Sequence, residues 1–149
     1  MTFTIIPPEQ DIPFTISEFN ISGRPIPETV ADKILKYHIA PMQKVRNKLG
    51  KSVTPSLKSG YRSPSWEKSK GRSGTSQHTF KGKGAVDWTC EDFEHNKNEL
   101  LRLIMLHTQY TRMAIYDSFI HCDYKPTPTG KRHLFKSGAD SKWEFLREV

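Results

Sequence analysis

The stretch that decides how this chain is read is Ser76–Cys90, "SQHTFKGKGAVDWTC". It opens with a histidine in a loop of small and polar residues. It passes through two glycines, Gly82 and Gly84, and ends in an apolar run that reads as a buried strand. Asp87 stands inside that run, between Val86 and Trp88. A carboxylate among apolar residues needs a cation, a metal ion or several hydrogen bonds. A lysine or arginine would serve as well as a metal, so the strand alone leaves the partner open.

Outward from this stretch the pattern alternates between helix and strand. Upstream, "ETVADKILKYHIAPMQKVRNKLG" (28–50) places Val30, Ile34, Leu35, Ile39, Met42, Val45 and Leu49 at helical spacing, with Gly50 at the stop. Pro41 falls inside it and predicts a kink or two abutting helices. "SVTPSLKSGYRS" (52–63) reads as a strand ending in a turn, and residues 63–77 have the composition of a surface loop. Downstream, "EDFEHNKNELLRLIMLHT" (91–108) is the clearest helix, acidic at its start and apolar along one face. "TRMAIY" and "SFIHCDYK" read as two short strands, a hairpin or one bent strand, and "KWEFLREV" as a weak strand or terminal turn. Residues 1–27 read as an ordered N-terminal arm. The order predicts one α+β domain over 1–149, with a small, largely antiparallel sheet flanked by helices.

Composition narrows the classes. At 149 residues the chain can bury one sizeable core, and eight Phe, five Tyr and three Trp supply large apolar surfaces. No apolar run approaches the ~20 residues of a membrane span. The N-terminus lacks a basic segment followed by a long apolar one, so no signal peptide is read and synthesis in the cytoplasm is expected. Cys90 and Cys122, the two cysteines, are expected as free thiols. The net charge of +7 is uneven: residues 51–90 hold eight Lys/Arg against Glu67 and Asp87. Such a surface suits a polyanion, whether nucleic acid, an anionic membrane or a bacterial cell wall, but no nucleic-acid motif accompanies it.

His78, Asp87 and His121 are the candidates to share a metal. Two imidazoles and one carboxylate, with a fourth position open, form a catalytic zinc set. Read singly, each is equally an ordinary core or surface residue.

Four short motifs, "SGYRS" (59–63), "SQH" (76–78), "GAVD" (84–87) and "FIHCD" (119–123), stand in that order over a span from about residue 14 to about 125. In this the chain resembles peptidase family M15, the zinc D-Ala-D-Ala carboxypeptidases and murein endopeptidases. The resemblance implies a hedgehog/D-Ala-D-Ala peptidase-like fold and Zn²⁺ held by His78, Asp87 and His121. It implies a substrate-binding role for Arg62, which would hold or polarise a carbonyl or carboxylate of the peptide. Ser76 and Tyr116 match positions expected to contact substrate, with a turn serine and core packing as their structural alternatives. The implied activity is D,D- or L,D-type carboxypeptidase or endopeptidase cleavage of peptidoglycan stem peptides near D-amino acids. The expected setting is a monomer acting on the bacterial wall after release or as a phage component, endolysin-like. A wall-binding or virion-associated module without turnover is the alternative.

Two departures stand out. The His78-to-Asp87 spacing of nine positions is two longer than the family's usual one, which a loop can absorb. The position three before the last ligand histidine, where many relatives carry the catalytic carboxylate, is Ser118. That leaves Asp123 and Asp117 as candidates for the base. Both fall on the His121 face of a regular strand, with Asp123 nearer. Asp123 is the preferred base, with orienting His121 a role it suits nearly as well. Cys122 should point away from the site.

Overall fold

In a computed structural model of the chain, the structure describes residues 14, 16–19, 26–56, 59–71, 76–139 and 142–149. Most of the expected N-terminal arm lies outside the described residues. Its described pieces include a 3-10 turn at Ile16–Phe19.

Among the described residues, six strands form one sheet: β1 (Val53–Pro55), β2 (Ala85–Cys90), β3 (Arg112–Ile115), β4 (Ile120–Asp123), β5 (His133–Ser137) and β6 (Trp143–Glu148). Their order is β1-β2-β4-β3-β5-β6, and every pairing is antiparallel except the parallel β3–β5 pair. The helices are α1 (Glu28–Lys33), α2 (Ala40–Leu49), α3 (Pro64–Ser69) and α4 (Phe93–His107). The α+β architecture with a mostly antiparallel sheet is as the sequence predicts.

The alternation of the strands gives the sheet two unlike faces. Val86, Trp88, Met113, Ile120, Cys122 and Leu134 join the core with Ile34, Met42 and Val45 of the first helical run and Leu100, Leu103 and Ile104 of α4. Trp88 is fully buried, edge-on to Phe14 and Phe19, and its indole N–H donates to the Tyr110 hydroxyl at 3.0 Å. The alternate residues, Asp87, Arg112, Ala114, His121 and Asp123, share the other face, because a two-residue period sends neighbours to opposite sides.

The helical run continues without interruption through Pro41. Ile34–Ile39 form a π-helical turn between α1 and α2, and the Ala40 N–H bonds back to Leu35. Proline has no N–H for the carbonyl four residues earlier and would crowd it. That carbonyl, on Tyr37, accepts the Tyr124 hydroxyl at 2.6 Å.

Two further departures are local. Part of the expected 63–77 loop is helix: the Ser63 side chain caps α3 by accepting the Trp66 N–H at 3.1 Å, and Pro64 occupies its first turn, where no N–H is needed. The C-terminal segment is a full six-residue strand, β6, paired with β5, a strand the sequence pattern did not reveal.

Candidate metal centre

Strand register builds half of the site. Asp87 on β2 lies directly opposite His121 on β4, and Ala85 opposite Asp123. With β3 on the far side of β4, Arg112 faces Asp123 and Ala114 faces His121. All these side chains stand on the face opposite α2 and α4.

His78 reaches the same point from a loop. Ser76 begins a 3-10 turn, Gln77–Thr79, by accepting the His78 N–H at 3.2 Å. Phe80 then takes a left-handed conformation (φ 58°) and buries its ring against Gly84. Gly84 has φ +89°, and a Cβ there would run into that ring. Helical residues hold the intervening loop: Lys33 Nζ donates to the Phe80 carbonyl at 2.8 Å, and His38 Nε2 bonds the Lys83 carbonyl at 2.9 Å. The two extra residues are thus taken up in a tethered loop, as the longer spacing allows.

The "SGYRS" segment fastens both halves. The Ser59 hydroxyl accepts the Asp87 N–H, and the Gly60 carbonyl lies 3.0 Å from His78 Nδ1. The Arg62 N–H donates to the His78 carbonyl at 2.8 Å. Gly60 has φ +94°, and a Cβ would collide with the Phe19 backbone.

One donor atom from each of His78, Asp87 and His121 lies within 4.8 Å of the others. His121 Nδ1 is 2.8 Å, and His78 Nε2 3.6 Å, from Asp87 Oδ1. The far side of each ring is already engaged. His78 Nδ1–H donates to Gly60, which leaves the Nε2 lone pair facing Asp87. His121 Nε2 is 2.8 Å from Asp123 Oδ2, which leaves Nδ1 facing inward. Such outer partners set tautomer and ring direction in metal sites. Two imidazoles and a carboxylate converging with their outer nitrogens satisfied fit a zinc ion.

The electrostatics agree with a site built for a cation. Burial alone would raise the Asp87 carboxyl, but the adjacent His121 and His78 imidazoles hold it well below the usual range. Burial would likewise lower His121, yet Asp123 and Asp87 raise it to about 9. Without a metal, His121 therefore carries a proton between two carboxylates, and metal binding must displace it. Asp123 is pulled down to about 2, since His121 and Arg112 outweigh the penalty of its burial.

Asp123 is fully buried and heavily engaged. It takes a two-pronged pair from Arg112, the Lys125 N–H at 3.0 Å and His121 Nε2. Asp117 is exposed in the turn before β4 and makes no hydrogen bond or ion pair among the described residues. Arg62 sends Nη1 to the buried Glu67 at 3.5 Å, while its buried Nε has no partner among the described residues. Tyr116 stacks on Phe119 and accepts the Trp143 indole N–H at 2.8 Å. Cys122 lies in the core, away from the site, and both cysteines are free thiols.

A family model described as Peptidase M15 matches residues 12–123. The chain belongs to the peptidase M15 family. Neither the curated proteins nor the solved structures include a match. M15 members are zinc peptidases, and the converging His78, Asp87 and His121 give this member a group able to hold the ion. Among the described residues of this M15 peptidase, no helix is long and apolar enough to cross a membrane.

Four contributors escaped the sequence reading. Ser59 and Gly60 act through turn geometry within a motif that was noticed. Arg112 was visible as the partner of Asp123 only once register was known. Trp143, 5.1 Å from the His121 ring between centroids, comes from β6, beyond the matched span.

Proposed function

We propose that this M15 chain is a zinc-dependent peptidase that hydrolyses peptidoglycan stem peptides near D-amino acids. The observation that carries this reading is the convergence of His78, Asp87 and His121 with the outer nitrogen of each imidazole already bonded. The chemistry a zinc ion supplies in such a set is polarisation of the scissile carbonyl and acidification of water.

The remaining roles follow from what each side chain has free. Asp123 orients His121, because its lone pairs are spent on Arg112, Lys125 and His121. Of the two candidate carboxylates, Asp117 is the one with free oxygens for proton transfer from water to the leaving amine, and it lies in the bend before β4 and not on the strand itself. The unpartnered Nε of Arg62 offers a fixed donor for a substrate carbonyl or carboxylate. The basic surface around residues 51–90 would hold anionic wall polymer and weaken its grip with salt.

The test is metal analysis joined to release of amino groups from purified peptidoglycan. Wild type should hold about one zinc per chain and release amines. Asp117→Asn should keep the metal and lose about a hundredfold or more in turnover. Zinc without turnover on any murein would turn the reading to a wall-binding module, and full activity in Asp117→Asn would remove Asp117 from the mechanism.

A further inference from the structure

The C-terminal hairpin of β5 and β6 follows the family match, which ends at Asp123, yet it reaches the metal centre. Its agent is Trp143. The Trp143 ring sits 5.1 Å from the His121 ring and 5.1 Å from Phe135, between centroids. The Arg112 guanidinium carbon lies 4.6 Å above the Trp143 ring centroid. The indole N–H is fixed to the Tyr116 hydroxyl at 2.8 Å.

The ladder explains how a residue three strands from His121 arrives there. Ala114 on β3 is flanked by His121 on β4 and Phe135 on β5, and all three lie on the site face. Its one-carbon side chain fills little of the space above the sheet. Ala114 has no exposure, and the Trp143 ring contacts the rings on either side of it, His121 and Phe135.

We infer that Trp143 is a positioning residue of the metal centre: it clamps Arg112, which holds Asp123, which fixes His121. The inference rests on the zinc-peptidase reading above and assigns the hairpin a part in it. Arg112 grips Asp123 through two nitrogens while its guanidinium carbon lies over the indole. A guanidinium held this way keeps fewer rotamers, so the carboxylate it grips is presented at a fixed angle. Asp123 then holds His121 Nε2, and direct ring contact with Trp143 restrains the imidazole from its open side. Loss of the indole releases Arg112 and one wall of His121 together, with every ligand still present.

The experiment is a zinc competition titration against a chromophoric chelator. It compares wild type, Trp143→Ala, Trp143→Phe and Leu146→Ala, with thermal unfolding of each metal-free protein alongside. Loss of an outer partner weakens metal binding about ten- to a hundredfold, and Trp143→Ala should do so. Trp143→Phe keeps a ring under Arg112 and should stay within about threefold of wild type. Leu146→Ala, an exposed change on the same strand, should bind as wild type. Trp143→Leu replaces the alanine variant if that one does not fold, and the same weakening is expected of it. A folded Trp143→Ala or Trp143→Leu with wild-type zinc affinity overturns the inference and leaves the zinc reading standing. A wild type that holds no zinc overturns both.

Discussion

Asp87 and His121 face each other across the β2–β4 ladder, with Oδ1 and Nδ1 2.8 Å apart. Because they are cross-strand partners, their separation is set by the sheet and not by a flexible loop. His78, carried by a capped turn, is the member whose approach depends on the loop. Asp87→Ala and His78→Ala should therefore both abolish tight zinc binding. Asp87→Ala should also leave His121 without one of the two carboxylates that raise it to about 9. Metal analysis of the two purified variants checks this, and stoichiometric zinc in either would remove that residue from the ligand set.

Asp123→Asn should act in two ways. Zinc affinity should fall about ten- to a hundredfold, as expected when a ligand imidazole loses its outer carboxylate. Stability should fall by about 3 kcal/mol, the low end for breaking a buried pair, since Arg112 keeps some solvent access. Chelator competition and denaturant unfolding separate the two effects. A variant that loses turnover while keeping both would instead place Asp123 in proton transfer.

The stability of the metal-free protein should climb between pH 4 and 6.5. Burial pushes His38 down to about 4, with the Lys83 carbonyl offsetting only part of that. The unfolded chain takes up a proton near pH 6.5 and the folded chain does not until about 4, so acid favours unfolding across that window. The full swing is about 3 kcal/mol. His121 has the opposite sign: its contribution is complete below pH 6.5 and lost as pH rises through 9. Asp87 and Asp123 lose theirs only below about pH 4. Thermal unfolding across pH 4.5–6.5 should show the slope in wild type and a flattened one in His38→Gln. An identical slope in both would assign it elsewhere.

Tyr124→Phe should destabilise the fold by about 1 to 2 kcal/mol. It removes the hydroxyl that the Tyr37 carbonyl accepts, and Pro41 has no N–H to offer in its place. Denaturant midpoints for Tyr124→Phe and for Tyr124→Phe combined with Pro41→Ala provide the check. Restoring an N–H at position 41 should recover part of the loss.

Gly84→Ala should be costlier than its size suggests. Its backbone is left-handed and its missing side chain is the space that Phe80 fills. The variant must move Phe80, and with it the turn presenting His78, so zinc affinity and thermal stability should fall together. Gly82→Ala, with nothing near its Cβ position, serves as the neighbouring comparison.

Much of this protein was legible in its residues taken in order. The helical spacing of 91–108, the apolar run around Asp87 and the order of the four motifs predicted the α+β class and brought forward His78, Asp87 and His121. Those signals are local: a strand's alternation and a helix's period are set by backbone geometry within a few residues. What the tertiary structure decided depends on which strands are neighbours. Register placed Asp87 opposite His121, set Arg112 against Asp123, and so engaged the carboxylate that sequence distance alone left open between base and orienting partner. The parallel β3–β5 pairing brought Trp143 to the His121 ring, because distance along the chain does not fix position across a sheet.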